Sequence, residues 1–386
     1  NKDLKIASAR MNELAALKRI DFANMFPQAT ARLNGNRETT NYGGDNFDAD
    51  PELSLTASIS WELDLWGNLR WARDHSTAGF LASVENCRAV KMGLVAQVAQ
   101  SYFELMALDN ELAIVRRTLE ARREGVRLAE IRFKGGLTSE IVFQQAKVEL
   151  AKTATMVPDL ERRISLKESE IALLTGDFPY AVNRNVLPEE IQLPDALPLG
   201  LPSTLQERRP DIRKAERELM AAHAEVGLAY TNMFPRLALT ATLGAESETL
   251  RDLLKSPYSY LAGNLLSPLF AMGKNRAALK AKRAAYEGAV AEYEKTVLTA
   301  FKETHNAIIN FNKIKDIYES RRQLAEASRT AVELAQLQYI NGVIGYLDLL
   351  DAQRNYFDAQ VSLSNAVCDK QLMIINLYKA LGGGWK

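Results

Sequence analysis

The tetrapeptide Asn24-Met25-Phe26-Pro27 recurs letter for letter as Asn232-Met233-Phe234-Pro235. From Gly67 and Gly273 onward the two halves stay in step at a fixed offset of 206 residues. Arg70/Arg276, Phe80/Tyr286, Arg116/Arg322, Glu120/Glu326, Leu128/Leu334, Phe133/Tyr339, Gly136/Gly342, Ala146/Ala352 and Gly176/Gly382 all fall in register. The chain reads as one unit written twice. Such a duplication is a strong constraint, because a unit that cannot bury its apolar face alone packs against copies of itself.

Proline placement divides each unit. Residues 52–157 and 269–386 contain none, whereas Pro179, Pro188, Pro194, Pro198, Pro202 and Pro210 cluster between them. Proline interrupts helices, so the free stretches can be helical and the cluster is expected to be irregular. Asn68–Arg132 and Lys274–Tyr339 are rich in strong helix formers, and each spans roughly 100 Å at the helical rise. Gly135-Gly136 and Asn341-Gly342 end them as left-handed caps. A second helix returns in each half, over Ser139–Leu174 and Tyr346–Leu381. Pro158 falls inside the first return helix, where a kink or break is expected.

The segments before the long helices alternate instead. Leu55, Ala57, Ile59, Trp61, Leu63 and Leu65 are apolar, and Ser54, Thr56, Ser58, Ser60, Glu62 and Asp64 are polar. This is a strand with one greasy and one wet face. Phe234–Leu243 repeats the pattern, Phe26–Thr40 more weakly, and Tyr258–Phe270, with Pro268, poorly. Asn41–Pro51 and Gly244–Pro257 carry turn residues. Each unit is therefore one β-hairpin and one long helical hairpin. A half-buried sheet in a soluble domain would also alternate, but Leu53–Trp66 exceeds the average of about 5–6 residues and suits a membrane strand of about 9–11. Four strands cannot close a membrane barrel, whose minimum is about eight. Strands in lipid would therefore need several chains to share one barrel.

Composition excludes several classes. The formal net charge is zero, which argues against nucleic acid. No apolar run reaches the length of a spanning helix. Cys87 and Cys368 lack metal or redox spacing, and His75, His223 and His305 lack ligand spacing. There is no phosphate loop or nucleophile elbow, so neither enzyme activity nor a cofactor is expected. His223 and His305 read as ordinary helix-surface residues. No signal peptide is visible ahead of Asn1.

One local asymmetry stands out. Tyr346, Leu347, Asp348, Asp351 and Arg354 open the second return helix, where the first has Glu140, Ile141, Val142, Gln145 and Val148. Acids at a helix start are favoured by its dipole. Around a symmetry axis the same acids would instead form carboxylate rings that attract cations. Likewise the apolar stripe Leu94, Val98, Tyr102, Leu105, Leu108, Leu112, Val115 and Leu119 must be buried, but the polar helix faces suit either bulk water or a water-filled lumen.

The middle of the chain carries a specific signature: Leu201-Pro202-Ser203-Thr204-Leu205, Arg208-Arg209-Pro210-Asp211-Ile212, Ala215-Glu216 and Leu219-Met220-Ala221-Ala222, leading to Phe234-Pro235. Tyr346-Leu347-Asp348-Leu349-Leu350-Asp351-Ala352-Gln353-Arg354 and the ending Leu377-Tyr378-Lys379-Ala380-Leu381-Gly382-Gly383-Gly384-Trp385 extend it. Over nearly its whole length the chain resembles the TolC-like outer-membrane factors, in their OprM-like efflux lipoprotein branch.

The resemblance implies an α+β membrane protein of the Gram-negative outer membrane. It would be a homotrimer with a 12-stranded β-barrel, four strands per chain, continuous with a 12-helix periplasmic α-barrel. The implied parts are an equatorial helix (1–25), β-hairpins (26–66 and 234–272), periplasmic helical hairpins (67–176 and 273–381), an equatorial domain (177–233) and a tail (382–386). The implied partners are a periplasmic adaptor, an inner-membrane pump and outer-membrane lipid, and the implied role is an exit duct. Leu347, Asp348 and Asp351 match the family's periplasmic constriction, with Tyr346 and Arg354 as latch partners. The hairpin tips, with Phe133, Gly135, Gly136, Tyr339, Asn341 and Gly342, would meet the adaptor. Neither cysteine stands where branch members carry a lipid, so lipidation is expected only of a longer precursor. The alternatives are a periplasmic long-helix adaptor or scaffold without a pore and, behind it, a helical lyase, which leaves the alternating strands unexplained.

Overall fold

The computed structural model describes residues 1–40, 48–184, 207–267 and 272–383. Most of the proline cluster, Pro188–Pro202, lies outside the described residues, as do Asn41–Phe47, Pro268 and Trp385. Among these residues six α-helices and four strands follow in the order α1 (Lys2–Ala23), β1 (Gln28–Thr40), β2 (Asp48–Leu63), α2 (Asn68–Lys134), α3 (Glu140–Thr175), α4 (Pro210–Thr231), β3 (Arg236–Ser247), β4 (Pro257–Leu266), α5 (Lys274–Ile340) and α6 (Tyr346–Ala380), with a short 3-10 turn at Leu253–Lys255 between β3 and β4. The two long helices have 67 residues each, and their boundaries keep the sequence offset.

Contacts divide the chain into two compact units. One comprises Ala7–Cys87 and Asp211–Thr296 and holds the sheet. Its strands run antiparallel in the order β1-β2-β3-β4. The two Asn-Met-Phe-Pro copies do the same work at its base. In each, the amides of Asn24 and Asn232 bond back to Ile20 and Leu228, and those of Phe26 and Phe234 to Ala23 and Thr231, ending a helix before a strand starts. Two tryptophans at the end of β2 tie these turns down: Trp61 Nε1 donates to the Met25 carbonyl at 3.1 Å and Trp66 Nε1 to that of Pro235 at 2.8 Å. Asp64 then caps α2, accepting from the amides of Leu69 and Arg70. The strand pairing reaches past Gly244 to Ser247, further than the turn residues suggest. β4 forms over ten residues despite its poor pattern, because ladder pairing with β3 supplies what local sequence lacks.

The other unit comprises Asn1–Ile6, Arg88–Pro210 and Val297–Lys386. Its main core takes the middle of the predicted stripe: Leu105, Leu108, Leu112 and Val115 of α2 pack on Leu160, Ile164 and Ile171 of α3, while Leu94, Val98, Tyr102 and Leu119 are only partly buried. Of the kink or break expected at Pro158, the break does not occur, and α3 runs unbroken from Glu140 to Thr175. Proline removes one backbone bond, while Met156, Val157 and Leu160 around it remain packed on that core. Among the described residues no helix is long and apolar enough to cross a membrane.

Both helical hairpins close with the same tip. Gly136 and Gly342 each hold φ near +73°. Leu137 bonds to the Arg132 carbonyl and Val343 to that of Gln338, as in a Schellman cap. Their upper ends also match. Gly176 (φ +89°) ends α3 against the backbone of Asn1, and Gly382 (φ +78°) follows α6 against the backbone of Arg208.

Candidate functional site

Two surfaces are candidates for function. The first is the sheet. Register places Leu33 opposite Leu55, and Ile59 beside Ala241 and Leu261, so one face is apolar across all four strands. That face is open: Ile59 is 53% exposed, Leu243 66% and Leu261 80%. The opposite face is hydroxyl-rich, and Ser58 and Thr242 share a hydrogen bond of 3.0 Å across β2 and β3. A sheet whose apolar face stays exposed over Ile59, Leu243 and Leu261 is the reverse of a soluble half-buried sheet. The pore-free scaffold reading leaves this face unexplained.

The second surface is the lower end of the helical hairpins. Here Ala129 (α2), Ala146 (α3), Tyr339 (α5) and Tyr346, Leu349 and Leu350 (α6) form one cluster. Tyr346 is buried and meets Tyr339 edge-on at 5.8 Å. Arg132 stands 4.6 Å over the Tyr339 ring. Burial raises the Tyr346 phenol above its ordinary value, and Arg122 beside it opposes the shift.

A polar lock lies one to two turns further up. The Arg354 guanidinium donates to the Glu149 carboxylate. Arg122 Nη1 donates to Gln353 Oε1 at 2.7 Å, and its Nη2 lies 4.0 Å from Glu149. The side chains of Arg122 and Glu149 are each only 7% exposed. Three helices thus share one charge cluster. The bond from Arg354 holds Glu149 below the usual carboxylate range, against the opposing effect of burial. Burial also lowers Arg122, partly offset by Glu149.

The predicted gate residues separate into two groups. Leu347, Asp348 and Asp351 are exposed together on one side of α6. Tyr346 and Arg354 point into contacts with the first hairpin instead. Asp348 Oδ2 accepts from the Gly345 amide at 3.0 Å, and Asp351 Oδ2 accepts from Asn355 Nδ2 at 3.2 Å. Gly345 has no side chain, so only this half of a capping box forms. Among the described residues, neither acid bonds to Tyr346 or Arg354 within one chain; Arg354 takes Glu149 instead.

Of the predicted tip residues, Gly135, Gly136, Asn341 and Gly342 are exposed, and Phe133 is half-buried and stacks on Phe143 at 6.0 Å. Tyr339 is only 7% exposed and faces the cluster. Sequence reasoning did not find Glu149, Arg122 or Gln353. Their signal was the same asymmetry seen from the other half, since the offset pairs Glu149 with Asn355 and Arg122 with Ser328.

Comparison with known proteins agrees with this geometry. The family model described as outer membrane efflux protein matches residues 1–177 and 201–383. The chain is 33% identical over its full length to the solvent efflux pump outer membrane protein SrpC of Pseudomonas putida, covering 83% of that protein. It is 32% identical to the outer membrane protein OprJ of Pseudomonas aeruginosa, over its full length and 82% of OprJ. The solved outer-membrane channel OprN superposes with a TM-score of 0.92 at 30% identity, covering 100% of this chain and 88% of that one. Matched through both of its halves, the chain belongs to the outer membrane efflux protein family and is an efflux channel of the Gram-negative outer membrane.

Proposed function

We propose that three copies of the chain form one exit duct. The observation that carries this reading is the sheet, with an exposed apolar face and with β1 and β4 as its outer strands. Unpaired strand edges in hydrocarbon cost several kcal/mol per group. Pairing β4 of one copy with β1 of the next satisfies them, and three copies give twelve strands. Exposed apolar residues at seven-residue spacing support the same ring in the helical unit. Ile141 and Val148 line α3, and Ile317 and Leu324 line α5. Two different edges that meet head to tail close a cyclic oligomer, here with twelve helices. Segments 26–66 and 234–272 enter the membrane, and 67–176 and 273–381 line the periplasmic tunnel.

In this ring Leu347, Asp348 and Asp351 narrow the tunnel, and the Arg354–Glu149–Arg122 lock holds the second hairpin against the first. The exposed tips Gly135-Gly136 and Asn341-Gly342 dock a periplasmic adaptor, which links the duct to an inner-membrane pump. The test is the mass of the detergent-purified protein together with conductance in planar bilayers. A trimer that conducts, more so when the gate acids are removed, is expected. A monomer that never conducts, even with the gate destabilised, overturns the reading.

A further inference from the structure

The upper ends of the two helical hairpins share a left-handed glycine but differ in the side chains that hold them. At the upper end of the first, the Asn1 carboxamide donates to the Leu174 carbonyl at 2.9 Å. The equivalent place in the second holds a buried arginine, Arg209, 5% exposed. Its Nη1 lies 3.3 Å from the Ala380 carbonyl of α6 and 3.5 Å from the Ala300 carbonyl of α5. Its Nη2 donates to Glu303 of α5 at 2.6 Å. Thr304 Oγ1, also on α5, donates to the same Ala380 carbonyl at 3.2 Å. One guanidinium therefore holds the last residue of α6 at a fixed height along α5. The offset pairs Glu303 with Gln97 and Thr304 with Val98, so the first hairpin lacks both the acid and the hydroxyl.

Helices α5 and α6 are also joined at the tip, where only residues 341–345 separate them. Two helices tied at one end can change how they wind about each other only if their far ends slip, since small sliding is the motion that packed helices allow. The far ends are where Arg209 sits. The hairpin that carries Asp348 and Asp351 is thus pinned at both ends, with a buried guanidinium at the upper one.

We propose that Arg209 is a positioning residue for the gate: it clamps the upper end of α6 to α5 and holds the second hairpin in its narrow winding. This rests on the reading of Leu347, Asp348 and Asp351 as the constriction. Release of the clamp lets α6 slip along α5, and the tunnel opening follows about 50 Å away, the length of the 35-residue helix.

The experiment compares single-channel conductance in planar bilayers for the assembled parent, Arg209→Gln, Arg209→Lys, Glu303→Gln and the double variant Asp348→Ala with Asp351→Ala. Arg209→Gln and Glu303→Gln are expected to raise the open fraction about fivefold or more, with Arg209→Lys closer to the parent because it keeps the charge. Glu303 is half exposed and decides the matter if Arg209→Gln does not assemble. A lowered melting temperature with parental conductance makes Arg209 merely structural and overturns the proposal. If the double aspartate variant opens the channel and the clamp variants do not, the clamp fails alone. If the clamp variants open it and the aspartates are silent, the gate assignment fails instead.

Discussion

Arg354 and Glu149 stand 205 positions apart and on different helical hairpins, yet the guanidinium of one is bonded to the carboxylate of the other. Glu149 is also the acid nearest Arg122. A single carboxylate therefore serves two guanidinium groups, and its loss strands the buried Arg122 and frees Arg354 from its bonded acid.

Glu149→Ala should accordingly be among the most destabilising changes in the helical unit. Stranding a buried charge costs about 3–5 kcal/mol, and Arg122 is buried. Chemical denaturation of the purified protein reads this directly. Glu149→Gln keeps an acceptor and should cost less, while raising conductance.

The same pair fixes a pH window. Glu149 titrates below its ordinary value of 4.5 because Arg354 bonds to its charged form. The stability this supplies is fully present above pH 4.5 and is lost as pH falls through the lowered folded value. Conductance attributable to the lock should be flat from neutral pH to about 5 and rise only in stronger acid. A rise centred near pH 6.5 would point to histidine instead.

Asp348 has two separable jobs, since its carboxylate caps α6 as well as carrying charge. Asp348→Asn keeps an acceptor for the Gly345 amide and removes the charge, so cation selectivity should fall with little change in stability. Asp348→Ala should lose selectivity and about 0.3–1 kcal/mol of stability as well. Reversal potentials in a salt gradient, paired with melting curves, separate the two.

Ile59 and Ser60 are sequence neighbours at the same height on opposite faces of β2. Ile59→Arg places a cation on the apolar face and should cost about 2–4 kcal/mol in lipid. Ser60→Arg, on the hydroxyl face, should assemble normally and shift conductance. Heat-resistant oligomer on gels and bilayer currents check both.

Gly382 and Gly342 both have positive φ, but only Gly382 is crowded, since a Cβ there would lie 2.9 Å from the Arg208 carbonyl carbon. Gly342→Ala should cost about 1–2 kcal/mol for the backbone alone. Gly382→Ala should cost more, because backbone rather than a flexible side chain stands in the way.

The sequence periods made most of the fold legible. Period-two alternation in β2 and the proline-free stretches each name an element that forms, and Gly136 and Gly342 mark the helix ends to within a residue or two. Local sequence failed where tertiary contacts outweighed it. Pro158 reads as a kink or break, but packing around Leu160 carries α3 through it without a break. Tyr339 reads as a tip residue, but its ring turns inward onto Tyr346. Glu149 escaped notice because a lone acid on a charged helix has no local mark, and only the fold brings Arg354 to it. Asp348 and Asp351 were visible because the duplicated half supplies an internal comparison.

The sheet has a consequence for biogenesis. Four strands with a water-shunning face and two bare margins are hazardous on their own, since each margin can recruit any extended chain it meets. In the proposed three-copy ring, a lone subunit cannot enter the bilayer first and wait for its companions. Insertion and assembly of that ring would be a single event, so subunit concentration in the periplasm, rather than the intrinsic folding rate of one chain, should set how fast working ducts appear.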